Sequence, residues 1–505
     1  MKATVKVNAN FPIGEIDPRI YSGFVEHLGR AVYEGIYQPD HPTADEDGFR
    51  QDVLELVREL GTPLTRYPGG NFVSSYRWED GIGPQDQRPV RTDFAWKSLE
   101  PNTVGIDEFM KWCRKANTEA IMAINLGTRG AEDAKNLMEY CNFPGGTAWS
   151  DLRKKNGSPE PYRIRHWCLG NEMDGRWQAG HTTARAYGAL ARESAKLMKL
   201  LDPDAQMILA GSSGRLMPTF PQWDREILEE AYDQADYISL HAYYNNRADD
   251  FAQFLTAPEQ MAQQIETIIH TCDYVKAQKR SPKTMYLCFD EYNVWKSHGV
   301  FNIDKEAGEE WSVARPLLQD VYNMEDALVV GGLLMTLQNY AHRVKIACIA
   351  QTVNVIAPIL TSTGGGAWRQ TIFHPFALLS RYGRGTVYQL NMDVPSYECD
   401  GFSCKYLLAS GIWNKERQEF VIYALNRSQT ESMTMQWTLE HFQPEEILEF
   451  ATLHHPDLKA VNTEDCEAVK PVASSDAALD QNTLTAELPP ASWNMIRIRL
   501  ADTAK

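Results

Sequence analysis

Eight apolar runs with strand-like composition recur up to about Arg384, opening near Ile20, Pro63, Ala120, Ile164, Gln206, Tyr237, Met285 and Lys345. Most are separated by stretches whose apolar residues repeat at helical spacing, such as Val53, Leu54, Leu56, Val57 and Leu60 ahead of the stop at Gly61. Few folds accept that alternation over such a length. The connections must cross over, the strands must run parallel, and both faces of the sheet are then covered. A closed (β/α)8 TIM barrel meets the count. An open doubly wound sheet would want a glycine-rich phosphate turn after an early strand, and none occurs.

Past Arg384 the helical period fades. Strand-like runs with turn signals between them follow: Phe420 to Leu425, Met433 to Leu439, Trp493 to Leu500. These read as a C-terminal all-β sandwich of jelly-roll type. Ala3, Val5 and Val7 alternate with polar residues ahead of the barrel, so that strand needs a partner and is expected in the sandwich. The expected division is 1–17 with the sandwich, 18–384 as the barrel, and 385–505 as the sandwich itself.

A chain of 505 residues that is 43% apolar can bury a sizeable core. A net charge of −17 argues against nucleic acid or an anionic membrane as partner, since both need clustered Lys and Arg. The N-terminus lacks the apolar centre of a signal peptide, and no run of about 18 apolar residues offers a membrane span. A cytoplasmic protein is expected. Nine cysteines occur without a CxxC, several inside apolar runs, which reads as buried inert thiols and no zinc site. No His-Glu-x-x-His occurs, and Gly364-Gly-Gly366 lacks the Lys-Ser/Thr of a phosphate loop, so neither metal nor cofactor is expected.

In a parallel barrel the C-terminal strand ends form the active face. Here those ends carry Glu26, Asn71, Asn125, Asn171 with Glu172, His241 with Tyr243, Glu291 and Gln351. Two of them share one grammar. Trp167-Cys-Leu-Gly leads into Asn171-Glu172, and Met285-Tyr-Leu-Cys-Phe leads into Asp290-Glu291. One such glutamate is as readily an ion-paired or solvated residue. Two on separate strands of one barrel form the carboxylate pair that glycoside hydrolysis requires. Arg66 is expected to pair with a glutamate, and Tyr243 to donate its phenol to Glu291 or to substrate. His241 serves either as proton donor or to orient a neighbour, and His27 is structural. Strand alternation points Asp290 away from Glu291.

Four separated stretches then carry a family likeness: Gly23-Phe-Val-Glu-His-Leu-Gly-Arg-Ala-Val-Tyr33, Arg66-Tyr-Pro-Gly-Gly-Asn-Phe-Val-Ser74, Trp167-Cys-Leu-Gly-Asn-Glu-Met-Asp174 and Asp290-Glu-Tyr-Asn-Val-Trp295. They resemble the intracellular α-L-arabinofuranosidases of glycoside hydrolase family 51, and the likeness extends through Ala350 to Pro358 and Ser492 to Ile496. The resemblance implies retaining, exo-acting release of terminal α-L-arabinofuranosyl units from oligosaccharides of arabinan and arabinoxylan. It makes Glu172 the acid/base and Glu291 the nucleophile. It assigns Glu26, Asn71, Asn171, Tyr243 and Gln351 to the furanose hydroxyls, and places Trp295 and Trp96 at the pocket edge. It implies a hexamer. The chain departs from the pattern at Tyr292, where many relatives have Trp; alternation turns that side chain away from the sugar. The rival readings are an endo-β-glucanase or β-xylosidase on the same scaffold, or a carbohydrate-binding protein without the chemistry.

Overall fold

The computed structural model describes residues 1–501. Eight strands pair in chain order, all parallel: Gly23–Phe24, Leu64–Tyr67, Glu119–Ile124, His166–Leu169, Gln206–Leu209, Tyr237–Tyr244, Tyr286–Val294 and Val344–Ile349. The ends of this sheet meet at Ser22. Its N–H donates to Ala347 O and its carbonyl accepts from Ile349 N–H, each at 2.9 Å, which closes the barrel. Side chains alternate as a strand dictates. Ile121 and Ala123 fill the interior with Phe24, Leu64, Cys168, Ile208, Cys288, Ile346 and Cys348, while Ala120, Met122 and Ile124 face the helices. Burial pushes the Cys288 and Cys348 thiols well above their usual range, so they act as small apolar fillers. Not all thiols are buried: Cys466 is exposed and Cys399 half-buried.

Local signals set the element ends. The helix Gln51–Leu60 stops at Gly61 (φ 74°) and Ile106–Ala116 at Asn117 (φ 58°), both left-handed caps. One expectation shifts. The strand expected from Ile20 to Val25 shrinks to Gly23–Phe24, because the Asp17 carboxylate and Pro18 start a 3-10 turn over Pro18–Tyr21. The helix Met324–Asn339 begins where Asn323 and Asp326 cap each other reciprocally. A short helix, Ala148–Lys155, has too little apolar periodicity to be read from sequence.

Ten strands build the C-terminal sheet, and Lys2–Glu15 is one of its interior members. It runs antiparallel to Thr386–Asp393 and parallel to Met433–Glu440. Phe420 and Trp437 lie on strands that are not neighbours in this sheet, yet their rings meet edge-on at 6.4 Å. The sheet therefore folds over on itself around one core that includes Val5, Val7, Phe420, Ile422, Met435 and Trp437. The helix Met324–Asn339 joins sheet to barrel and is buried on every side but its last residue. Gly331 permits that contact, since a Cβ there would lie 2.6 Å from the Trp493 ring. No helix among the described residues is long and apolar enough to cross a membrane.

Candidate active site

Two strand ends present the two glutamates, by different devices. After His166–Leu169 the chain turns through Gly170 (φ 84°), and Glu172 itself adopts φ 45°. That left-handed conformation costs a non-glycine residue about 1–2 kcal/mol, a strain of the kind found where a side chain must be aimed. The second device is a bulge. The register of Tyr286–Val294 slips between Cys288 and Glu291 against one neighbour and between Phe289 and Tyr292 against the other. Strict alternation would turn Asp290 away from Glu291. The bulge instead brings both to the same partners. Glu291 Oε1 accepts from Arg66 Nη1 at 2.6 Å while Asp290 Oδ2 lies 3.3 Å from Arg66 Nε. His241 Nε2 is 3.2 Å from Asp290 Oδ1, and its Nδ1 is 3.5 Å from Glu291 Oε2. Tyr292 falls on the other side, fully buried in the core and edge-on to Phe289.

Glu172 and Glu291 share this pocket. A carboxylate oxygen of each and a ring nitrogen of His241 all lie within 4.8 Å of one another. Glu172 Oε1 is 3.0 Å from His241 Nδ1. Burial, opposed by the His241 contact and helped by the charge of Glu291, holds the Glu172 carboxyl above its usual range. Glu291 has its second oxygen on the Tyr243 phenol, which donates at 2.7 Å. Burial would depress His241, but Glu291 and Asp290 outweigh it and raise the imidazole well above its ordinary value. Burial likewise works to raise Asp290, and Arg66 and His241 bring it below the carboxylate range.

The pocket floor is backbone. A Cβ on Gly70 would sit 2.8 Å from Glu291 Oε1, 3.4 Å from Glu26 Oε2 and 3.5 Å from Asn171 Nδ2. Glu26 Oε1 accepts from Phe72 N–H (2.9 Å) and the Trp96 indole (3.0 Å), and its Oε2 from the Gln351 amide (3.3 Å). Burial, with the charge of Glu291 adding to it against the Phe72 contact, pushes the Glu26 carboxyl up to about 8. Asn171 Oδ1 accepts from Arg66 Nη2 at 2.8 Å, which fixes the amide so that Nδ2 faces Asn71 Oδ1 at 3.4 Å.

Glu26, Arg66, Asn71, Trp96, Asn171, Glu172, His241, Tyr243, Glu291 and Gln351 thus belong to one convergent cluster. Trp295 joins it through aromatic contact alone, edge-on to Tyr243 at 5.2 Å, with its indole on Ser297. Asn125 does not join: its amide serves Tyr76 O and Thr128 in a neighbouring loop. His27 stands behind the wall, held by Glu100 and the Tyr67 phenol at 2.8 Å each. Sequence reasoning missed Trp177, whose indole donates to Glu172 Oε2 at 2.6 Å. Its only signal was proximity, a few residues past Glu172 on a glycine-bounded turn.

Glu172, His241 and Glu291 are the triad among the described residues with metal-like spacing. The donor set does not suit a cation. His241 already faces Asp290 through Nε2 at 3.2 Å and Glu172 through Nδ1 at 3.0 Å. Glu291 already spends its oxygens on Arg66 and Tyr243.

Comparison with known proteins gives a consistent picture. Residues 56–267 match the family model described as the α-L-arabinofuranosidase 1 domain, and residues 290–492 that of the α-L-arabinofuranosidase C-terminal domain. The intracellular exo-α-(1→5)-L-arabinofuranosidase of Acetivibrio thermocellus is 52% identical over 499 residues, covering 98% of this chain and 99% of its own. The Bacillus subtilis protein named intracellular exo-α-(1→5)-L-arabinofuranosidase 1 is 50% identical, with 99% of each covered. A solved family 51 α-L-arabinofuranosidase from Bifidobacterium longum superposes with a TM-score of 0.94 at 41% identity, over 98% of this chain and 99% of that one.

Proposed function

The chain belongs to the α-L-arabinofuranosidases of family 51, and from that premise we propose that it is an intracellular, exo-acting enzyme that removes terminal non-reducing α-L-arabinofuranosyl units from arabinan- and arabinoxylan-derived oligosaccharides by double displacement. In the first step Glu291 attacks the anomeric carbon. The bond to the leaving oxygen breaks, and Glu172 gives that oxygen its proton. In the second step a water oxygen bonds to the anomeric carbon, its proton passes to Glu172, and the bond to Glu291 breaks. Arabinose leaves and both glutamates return to their starting states.

The observation that carries this reading is the approach of the two carboxylates to within 4.8 Å. Retaining enzymes hold the pair about 5–5.5 Å apart, whereas inverting ones leave about 6.5–9.5 Å for a water. The division of labour follows from the surroundings. Glu172, raised by burial, is suited to carry a proton; Glu291, addressed by a guanidinium and a phenol, is suited to attack. Asn171, its amide oriented by Arg66, presents Nδ2 to the sugar 2-hydroxyl. Glu26, Asn71, Tyr243 and Gln351 line the space for the other hydroxyls, and Trp96 and Trp295 close its edge.

The names of the two half-identical relatives point to the 1→5 linkage. Their intracellular designation supports a cytoplasmic enzyme. The assembly we propose is the hexamer implied by the family resemblance, which light scattering weighs directly. The deciding experiment follows digestion of a 1→5-linked arabino-oligosaccharide by proton NMR. The first product is expected to be the α-furanose. A β-product would replace retention with inversion, and release of glucose or xylose but not arabinose from an aryl-glycoside panel would overturn the substrate.

A further inference from the structure

Both oxygens of Glu172 are occupied, and by donors of different character. Oε1 faces His241, which is buried and backed by Asp290. Oε2 takes the Trp177 indole N–H at 2.6 Å, and that residue is 55% exposed. An indole is a donor only. It matches a carboxylate oxygen and has nothing to accept from a carboxyl O–H. With the indole docked, Oε2 is an acceptor and cannot be the oxygen that carries a proton toward a leaving group; that oxygen is free to give one only when the ring moves away.

The turn is built so that the ring alone can change place. Gly175 N–H donates to Glu172 O (2.8 Å) and Gln178 N–H to Gly175 O (3.0 Å), while the Gln178 amide is buried on Ser74 Oγ. The backbone on either side is therefore pinned. A Cβ on Gly175 would lie 2.5 Å from the indole, so this glycine is what lets the ring fold back onto Glu172. The Trp177 side chain has no other hydrogen bond, and its exposed flank leaves room to swing outward.

We propose that Trp177 is a positioning residue that docks its indole N–H on Glu172 Oε2 for the second displacement and yields that oxygen to the leaving group for the first. The proposal rests on the assignment of Glu172 as acid/base made above. It predicts that the two half-reactions respond differently to loss of the N–H. The ionisable groups around Glu172 are His241 and Tyr243 from one strand, Asp290 and Glu291 from the next, Arg66 and Glu26 across the pocket, and Asp174 on its own turn. All remain when the indole is replaced, so a moved pH limb reports the lost donor.

The test is Trp177→Phe, which keeps an aromatic ring and removes the N–H; because the side chain is over half exposed, folding is preserved and a melting curve verifies it. With a dinitrophenyl arabinofuranoside, whose departure needs no acid, kcat reports the second step. It is expected to fall about threefold to tenfold while kcat/KM holds. With a natural oligosaccharide, the basic limb of kcat/KM should move up by about one pH unit, because Glu172 loses a contact that favours its charged form. Equal losses in kcat and kcat/KM for both substrates, with both limbs unmoved, would reduce Trp177 to a wall of the pocket and overturn the proposal. Failure of the wild-type protein to release arabinose would instead sink the assignment beneath it.

Discussion

The turn that carries Glu172 and the bulged strand that carries Glu291 hold the same functional group in contrasting ways. Glu291 sits on a long strand, its oxygens fixed by Arg66 and Tyr243, both anchored in the barrel wall. Glu172 stands past the end of a short strand, on strained backbone, with one oxygen toward a buried imidazole and the other toward an exposed indole. One carboxylate is clamped and the other is left adjustable. A nucleophile needs a fixed line of attack, whereas a group that must give and then take a proton needs partners that can change. Residue type alone draws no such distinction.

Breaking the clamped side has the largest expected effect. Glu291→Ala should lower kcat by about five orders of magnitude on every substrate, since the proposed covalent intermediate forms on that carboxylate. Equal activity on any aryl arabinofuranoside would remove Glu291 from the chemistry. Glu172→Ala should instead sort substrates by leaving group. Turnover of oligosaccharides should fall by about a thousandfold, and formation of the intermediate from a dinitrophenyl glycoside hardly at all. Loss that ignores the leaving group would contradict the acid assignment. Tyr243→Phe sharpens the contrast from within the clamp. It removes one donor to a charged oxygen and should cost about tenfold in kcat with little change in melting temperature.

The smallest effect tests the floor between the two ends. Burial lifts Glu26 to about 8 in the folded protein, against about 4.3 in an unfolded chain. Between those values the folded state keeps a proton that the unfolded state has released. Stability therefore falls as pH rises through that window, by on the order of 1 kcal/mol per pH unit. Glu26→Gln removes the titration, so its melting temperature should gain on the wild type from about pH 5 to about pH 8. Parallel curves would mean that Glu26 is charged throughout and matched by a donor that the hydrogen bonds above do not include.

Much of this was legible because strand ends are local signals. An apolar run closing on Glu172 or on Glu291 reads directly as a residue delivered to the active face, and Arg66 closing Leu64–Tyr67 reads the same way. The bulge before Glu291 was not legible. Its cause is the register of two flanking strands, which no spacing within Tyr286–Val294 encodes. Alternation alone turns Asp290 from Glu291, yet Asp290 supports the pocket from the same side, holding the two residues, Arg66 and His241, that face the glutamates. Trp177 escaped for a related reason. Its place depends on Gly175 making room, a fact about where atoms would collide and not about pattern. The first barrel strand was overdrawn because apolar content at Ile20 and Tyr21 outweighed the turn signal of Asp17-Pro18.

The position of Lys2–Glu15 between Thr386–Asp393 and Met433–Glu440 has a consequence for how the molecule is made. Lys2–Glu15 precedes the barrel in the chain, yet it is an interior strand of a sheet whose other members all follow the barrel. It must wait, with both edges bare, while the whole barrel emerges. A nascent chain interrupted after Arg384 would carry that strand unpaired and the helix Met324–Asn339 uncovered, a ready substrate for chaperones or for other copies of itself.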